Sequence, residues 1–193
     1  MLFSILKVDK TIARPPSNTF SVSLSGQLYR IEASKKNDYT EFDIGWNNGT
    51  ESKNIKGLYF VYKTETIILI ASFSKSLKEL STQILGIYLN SKVIQYHFSL
   101  NDMQKLLKSF GNIMEMRLRT PDPIIEEINV VGEDLEDSKT FDYLKSSEVV
   151  HFTTFNKDFS ASMKVFEDGR ISIIPERDYE IVVSFLMDVL EKL

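Results

Sequence analysis

His97 and His151 are the only imidazoles in this chain of 193 residues. Imidazole titrates near neutrality and could act as a general base. Neither histidine has a second His or a Cys at ligand spacing, and no G-x-S-x-G elbow presents a serine to either. Each falls in a stretch read as strand, so both are expected to be partly buried and hydrogen-bonded. Glu126, Glu127, Glu133, Asp134, Glu136 and Asp137 form a second constellation. Carboxylate oxygens suit Mg²⁺ or Ca²⁺, and a metal-dependent hydrolase with carboxylates in 122–137 is one reading. The run lacks the D-x-[DN]-x-[DN]-G loop of an EF-hand, so a solvated acidic loop is the expectation and no metal ligand is assigned.

The third constellation is basic. Arg14, Arg30, Lys35, Lys36, Lys53 and Lys56 fall in or beside loops, among Tyr29, Tyr39, Phe42, Trp46, Tyr59 and Tyr62. Bases stack on aromatics and phosphates pair with cations, so this set could hold single-stranded nucleic acid. The nucleic-acid candidates are those six cations with Trp46. The other reading puts the aromatics in the core and leaves the lysines to keep sheet edges soluble. A pI near 5.3 lacks the basic character of a dedicated binder. Arg117 and Arg119 share a strand face and could clamp an anion. Pairing with the acidic segment downstream is preferred.

The totals bound what these groups can belong to. A chain of this length makes one domain or two small lobes and buries a core without metals or disulfides. There is no cysteine, which excludes a disulfide framework, thiolate catalysis and most structural zinc sites. "MLFSILKVDK" lacks a basic n-region and a small-residue cleavage site and reads as a first strand. No apolar run approaches the roughly 18–20 residues of a membrane span. A cytoplasmic protein without membrane contact is expected. Charge is uneven. Residues 1–120 carry 16 Lys and Arg against 10 Asp and Glu, whereas residues 121–193 carry 7 against 17. Such asymmetry can mark partner-binding faces, or two halves that attract each other.

The elements that would position these groups follow from periodicity. Strands are expected at 2–8, in a hairpin over 19–33 turning at Gly26-Gln27, and at 39–46, 57–63 and 66–73. Phe20, Val22 and Leu24 share a face in the hairpin, with Leu28 and Ile31 following after one shift in phase. Residues 47–54 read as an exposed loop. Helical spacing over 74–90 carries Leu77, Leu80, Ile84, Ile87 and Tyr88, with Ser74 or Ser76 as cap and Asn90 as stop. A strand at 92–99 leads to a short helix capped by Ser99, with Asp102 in its first turn and Gly111 closing it. Residues 113–120 alternate Ile113, Glu115, Arg117 and Arg119 against Met114, Met116 and Leu118. "PDP" (121–123) is a break and a candidate boundary. Residues 124–131 could be a strand, 137–147 a two-turn helix and 148–155 a strand. "KVFEDGRISI" forces a hairpin at Asp168-Gly169, and 176–193 reads as a terminal helix with a broad apolar stripe.

The order strand, tight turn, strand, helix occurs twice, and at an offset of 103 residues Leu80, Ile84 and Ile87 align with Val183, Met187 and Leu190. This suggests pseudo-duplication. "SMKVFEDGRISIIPERDYEIVVSFLMDVLEKL" resembles the closing segment of a half-repeat in the TATA-box-binding-protein (TBP-like) superfamily. The resemblance rests on Val165-Phe166, Gly169, Arg170, Ile171 and the stripe of 181–193. It implies a strand, a glycine turn and a second strand feeding a long helix across the sheet. DNA-reading members are basic and carry intercalating Phe pairs. This segment is acidic, so the resemblance implies fold and little about DNA.

The expected fold is α+β: two lobes of mainly antiparallel sheet covered by helices. A β-rich N-terminal lobe (1–90) ends in a helix, and a C-terminal α+β lobe (91–193) ends in a long helix. The expected function is a non-enzymatic binding or assembly protein acting through sheet surfaces and charge-separated lobes. No catalytic residue or cofactor is assigned. The partner would be another protein, the chain itself, or nucleic acid through the basic lobe.

Overall fold

A computed structural model describes residues 2–8, 18–47, 49, 51–71, 74–122, 124–133, 135, 147–157 and 160–193. The fold is α+β and mainly antiparallel sheet. It divides into two compact units, Leu2–Tyr96 and His97–Leu193. The division lies six residues past the boundary read from the sequence. No described helix is long and apolar enough to cross a membrane.

The first unit contains β1 (Leu2–Val8), β2 (Thr19–Leu24), β3 (Gln27–Lys35), β4 (Thr40–Asn47), β5 (Ser52–Tyr62), β6 (Glu65–Ala71), α1 (Lys75–Leu89) and β7 (Val93–Gln95). The strands lie in the order β2-β3-β4-β5-β6-β1, and β7 pairs with the end of β1. The β2–β3 hairpin turns at Ser25-Gly26, one residue before the expected Gly26-Gln27, with both residues at positive φ, which glycine adopts without steric cost. Val22, Tyr29, Ile31, Phe42, Ile44 and Tyr59 therefore share the face covered by α1. Leu28 points away and is 62% exposed, because alternation runs unbroken from Tyr29 to Ile31. The polar stretch 52–56 is the first half of β5 rather than loop, paired along β4. Gly57 sits under the Phe42 ring, directly across the ladder. Ser74 Oγ caps α1 by accepting from Leu77 N at 3.2 Å, and Asn90 ends it in the left-handed region.

The second unit contains α2 (Leu100–Ser109), β8 (Ile113–Arg119), β9 (Glu127–Val131), β10 (Glu148–Asn156), β11 (Ala161–Phe166), β12 (Arg170–Ile174) and α3 (Tyr179–Glu191). The strand order is β12-β11-β10-β8-β9. Ser99 and Asp102 form a capping box on α2. Gly111 does not close that helix: Phe110 is extended and the left-handed residue is Asn112. Pro121-Asp122 lies in the connection between β8 and β9, which pair with each other, so it is no domain boundary. Only Val93–Gln95 of the strand expected at 92–99 is formed. The helix expected at 137–147 lies almost wholly outside the described residues.

Two irregularities re-aim side chains. Met114 on β8 and Val150 on β10 are skipped in the β8–β10 register, as bulged residues are. The extra residue at Met114 reverses the phase, so Ile113 is fully buried instead of sharing the face of Glu115, Arg117 and Arg119. α3 buries Val182, Val183, Phe185, Leu186, Val189 and Leu190. The aligned position pairs are not presented alike, since Ile87 is exposed whereas Leu190 is buried.

Candidate binding surface

Strand alternation sorts the second sheet into two faces. Ile113, Met116, Phe152, Thr154, Met163 and Val165 are buried. Glu115, Thr153 and Lys164 occupy the other face, and the register sets them in a row across β8, β10 and β11. Lys164 Nζ donates to Glu115 Oε2 at 2.9 Å, and Thr153 Oγ1 donates to the same oxygen at 3.0 Å. His151 Nε2 stands 3.5 Å from Glu115 Oε1, and its ring lies 5.3 Å from that of Phe166.

The chemistry of this cluster follows from its partners. The Lys164 ammonium holds Glu115 at a pKa of about 2, against an opposing push from burial and with help from Thr153. Such a carboxylate neither accepts nor releases a proton near neutrality. Burial lowers the pKa of His151, with the Lys164 charge adding to the effect and Glu115 opposing it. The Thr153 hydroxyl is directed at Glu115. No nucleophile–base pair results, and the network is satisfied within itself. His97 is exposed after β7.

Around this cluster each arginine has a carboxylate. Arg117 Nε donates to Glu127 at 2.9 Å, and Arg119 bonds Glu148 at 2.9 Å and Glu167 at 3.3 Å. Arg170 Nε bonds Asp168 at 2.8 Å, with its guanidinium 4.7 Å from the centre of Phe166. Arg117 thus pairs with the acidic segment downstream. Glu133 is exposed beyond the end of β9. Asp134, Glu136 and Asp137 lie outside the described residues, among which no metal-holding group of carboxylates and histidines occurs.

Among the described residues, the basic candidates of the first unit are not brought together. Arg14 lies outside the described residues. Arg30 pairs with Glu32 at 3.0 Å, Lys36 with Glu41 at 3.6 Å and Lys53 with Glu51 at 3.8 Å. Lys35 is exposed, and Lys56 sits opposite Asp43. Register puts Arg30 and Lys56 on one face of the sheet and Trp46 with Lys53 on the other. Tyr29, Phe42 and Tyr59 are buried under α1, and Trp46 packs on Tyr29 at 5.8 Å.

One surface was missed by reading chemistry-bearing residues alone. Met114, Ile124, Ile125, Ile128 and Val131 are all exposed, and all belong to the β8–β9 hairpin. Asp122 Oδ1 accepts from Ile124 N at 2.7 Å and Ile125 N at 3.2 Å, a local turn that presents Ile124 at 89% exposure. The bulge turns Met114 outward. β9 ends the strand order of its sheet, and among the described residues nothing pairs with its outer edge. The available signal was the apolar content of "IIEEINVV" beside a break. A cavity of about 340 Å³ in the second unit is lined by Phe110, Asn112, Asn156, Lys157, Phe185 and Lys192. Lys192 there is bonded to Asp188 at 3.0 Å. Neither a protein-family model nor a curated protein matches the chain.

Proposed function

We propose that this chain is a non-enzymatic binding or assembly protein that works through its sheet surfaces. The contact surface is the exposed apolar rim of the β8–β9 hairpin. The observation that carries this reading is the gathering of five exposed large apolar side chains on one edge hairpin. Grouped exposed apolar residues of this kind mark interaction sites, whereas scattered ones do not. The titratable groups beside the rim are saturated by one another, which supports binding over catalysis. A cytoplasmic setting belongs to the same proposal and suits a cysteine-free composition. Cell fractionation that found the chain secreted would overturn that part.

The fold reading extends to origin. The hairpin-plus-helix order of β5, β6 and α1 recurs in β11, β12 and α3, which supports pseudo-duplication. The Gly169 turn between β11 and β12, with α3 following β12, supports a TBP-like half-repeat. Relatives whose two units grow more alike in sequence would strengthen this, and relatives whose units diverge further would sink it.

The function is tested by placing a photo-crosslinking residue at Ile124 or Val131 of the full chain in its host, with Leu28 as a control on the first unit. Discrete crosslinked species from the two rim positions and none from Leu28 are expected. Equal labelling at all three positions would overturn the reading.

A further inference from the structure

We infer that the occupant of the β9 edge is a second copy of the same chain, joined by antiparallel pairing of β9 with β9 about a two-fold axis through Asn129. This rests on the binding reading above and names its partner.

The backbone sets the geometry. Thr120 N donates to Glu126 O at 3.0 Å, and Gly132 N donates to Met114 O at 3.1 Å. Alternate residues of an antiparallel strand bond to opposite neighbours. Even-numbered residues of β9 therefore face β8. The N–H and C=O groups of Glu127, Asn129 and Val131 point outward. With the axis at Asn129, that residue exchanges both backbone bonds with its own copy, and Glu127 does so with the partner's Val131. These three residues are the ones with outward groups, so the register wastes none of them. It also sets Ile128 beside the partner's Val130, an apolar pair on the face shared with Met116 and Leu118.

Charge selects the same arrangement. Parallel in-register pairing would stack Glu127 on Glu127, and like charges directly opposite are destabilising. In the two-fold register each Glu127 lies across from Val131 and keeps its ion pair with Arg117. Edge strands are normally defended by charged side chains, proline or a bulge; Glu127–Val131 carries no proline and no bulge, and its one charge, Glu127, is paired with Arg117. β2, at the end of the first unit's strand order, exposes Thr19, Ser21 and Ser23 instead. A two-fold axis normal to the sheet makes one continuous sheet across both copies.

A five-residue strand with its neighbouring isoleucines buries less than the roughly 1,200 Å² of a standard interface. The dimer is therefore transient, with a Kd on the order of 10–100 µM. Residues 121–193 hold 7 Lys and Arg against 17 Asp and Glu, so the two copies repel at long range. Salt screens that repulsion, and dimerisation tightens as salt rises.

The test is sedimentation equilibrium of the full chain over about 1–500 µM, at low and moderate salt. Reversible dimerisation that strengthens with salt is expected. Asn129→Pro removes an outward N–H while sparing the β8 ladder and should weaken association at least about tenfold. Val131→Lys, at a position 73% exposed, should do the same if the proline variant fails to fold. Leu28→Lys should leave association unchanged. A monomer throughout, or a dimer indifferent to both rim variants, overturns the inference. If the chain is monomeric while the crosslinker at Val131 captures a different protein, self-pairing falls and the binding reading survives. If neither occurs, both fall.

Discussion

Glu115 offers the sharpest test of how the open face of the second sheet is held together. Its pKa is lowered from 4.5 to about 2, first by the bond from Lys164. A group depressed in the folded chain contributes stability above its unfolded pKa and loses it as pH falls through the folded value. The window here runs from about 4.5 down to about 2. At roughly 1.4 kcal/mol per tenfold change in proton affinity, the upper bound is about 3 kcal/mol. Solvent reaches this side chain, which is 27% exposed, and screening brings the expected loss to about 1–2 kcal/mol. The perturbation is Glu115→Gln, which keeps shape and removes charge. The assay is urea unfolding of both proteins from pH 7 to pH 2. The variant should be less stable at pH 7 by about 1–2 kcal/mol, and the two curves should converge near pH 2. Parallel curves across the window would refute the reasoning. His151 adds a loss of the same sign. Its pKa is lowered by burial, so below 6.5 the unfolded chain takes up the proton first. Stability then falls on acidification before the Glu115 window opens, and falls further in the variant, which lacks the Glu115 carboxylate that opposes the shift.

Two further outcomes are expected. In Gly57→Ala the added Cβ meets the Leu69 carbonyl oxygen and the Phe42 ring, a clash with backbone that relaxation cannot relieve cheaply. Chemical denaturation should show a loss of about 3 kcal/mol or more, and an alanine variant as stable as the parent would contradict this account of the β4–β5 pair. If the basic lobe binds nucleic acid, fluorescence anisotropy with single-stranded DNA, duplex DNA and RNA should show affinity falling steeply between about 50 and 200 mM salt. Lys35→Glu with Lys36→Glu should weaken it. Absence of binding to all three would remove the nucleic-acid reading and leave the rim of β8–β9 as the surface to map.

The sequence by itself determined what depends on neighbours in the chain. Phe20, Val22 and Leu24 alternate and lie on the helix-covered face. Ser74 and Asn90 delimit α1, and Ser99 with Asp102 start α2. Asp168-Gly169 makes its turn with Gly169 at positive φ. Each of these signals acts over a few residues, so it can be read where it stands. The polar half of β5 was illegible for the same reason: its strand character comes from pairing with β4 and not from its own side chains. Only the tertiary structure decided which aromatics the cations accompany. A period of two assigns Trp46 and Arg30 to opposite faces once register is known. It also decided that Glu115, Thr153 and Lys164 form a row, because three strands distant in sequence must align for that row to exist. The bulge at Met114 buries Ile113 and exposes the methionine, which alternation read without its partner strand places otherwise. That β9 stands at an edge among the described strands, and so offers an unpaired ladder beside exposed isoleucines, is a property of strand order. Strand order is set by long-range pairing, on which a five-residue segment has no local say.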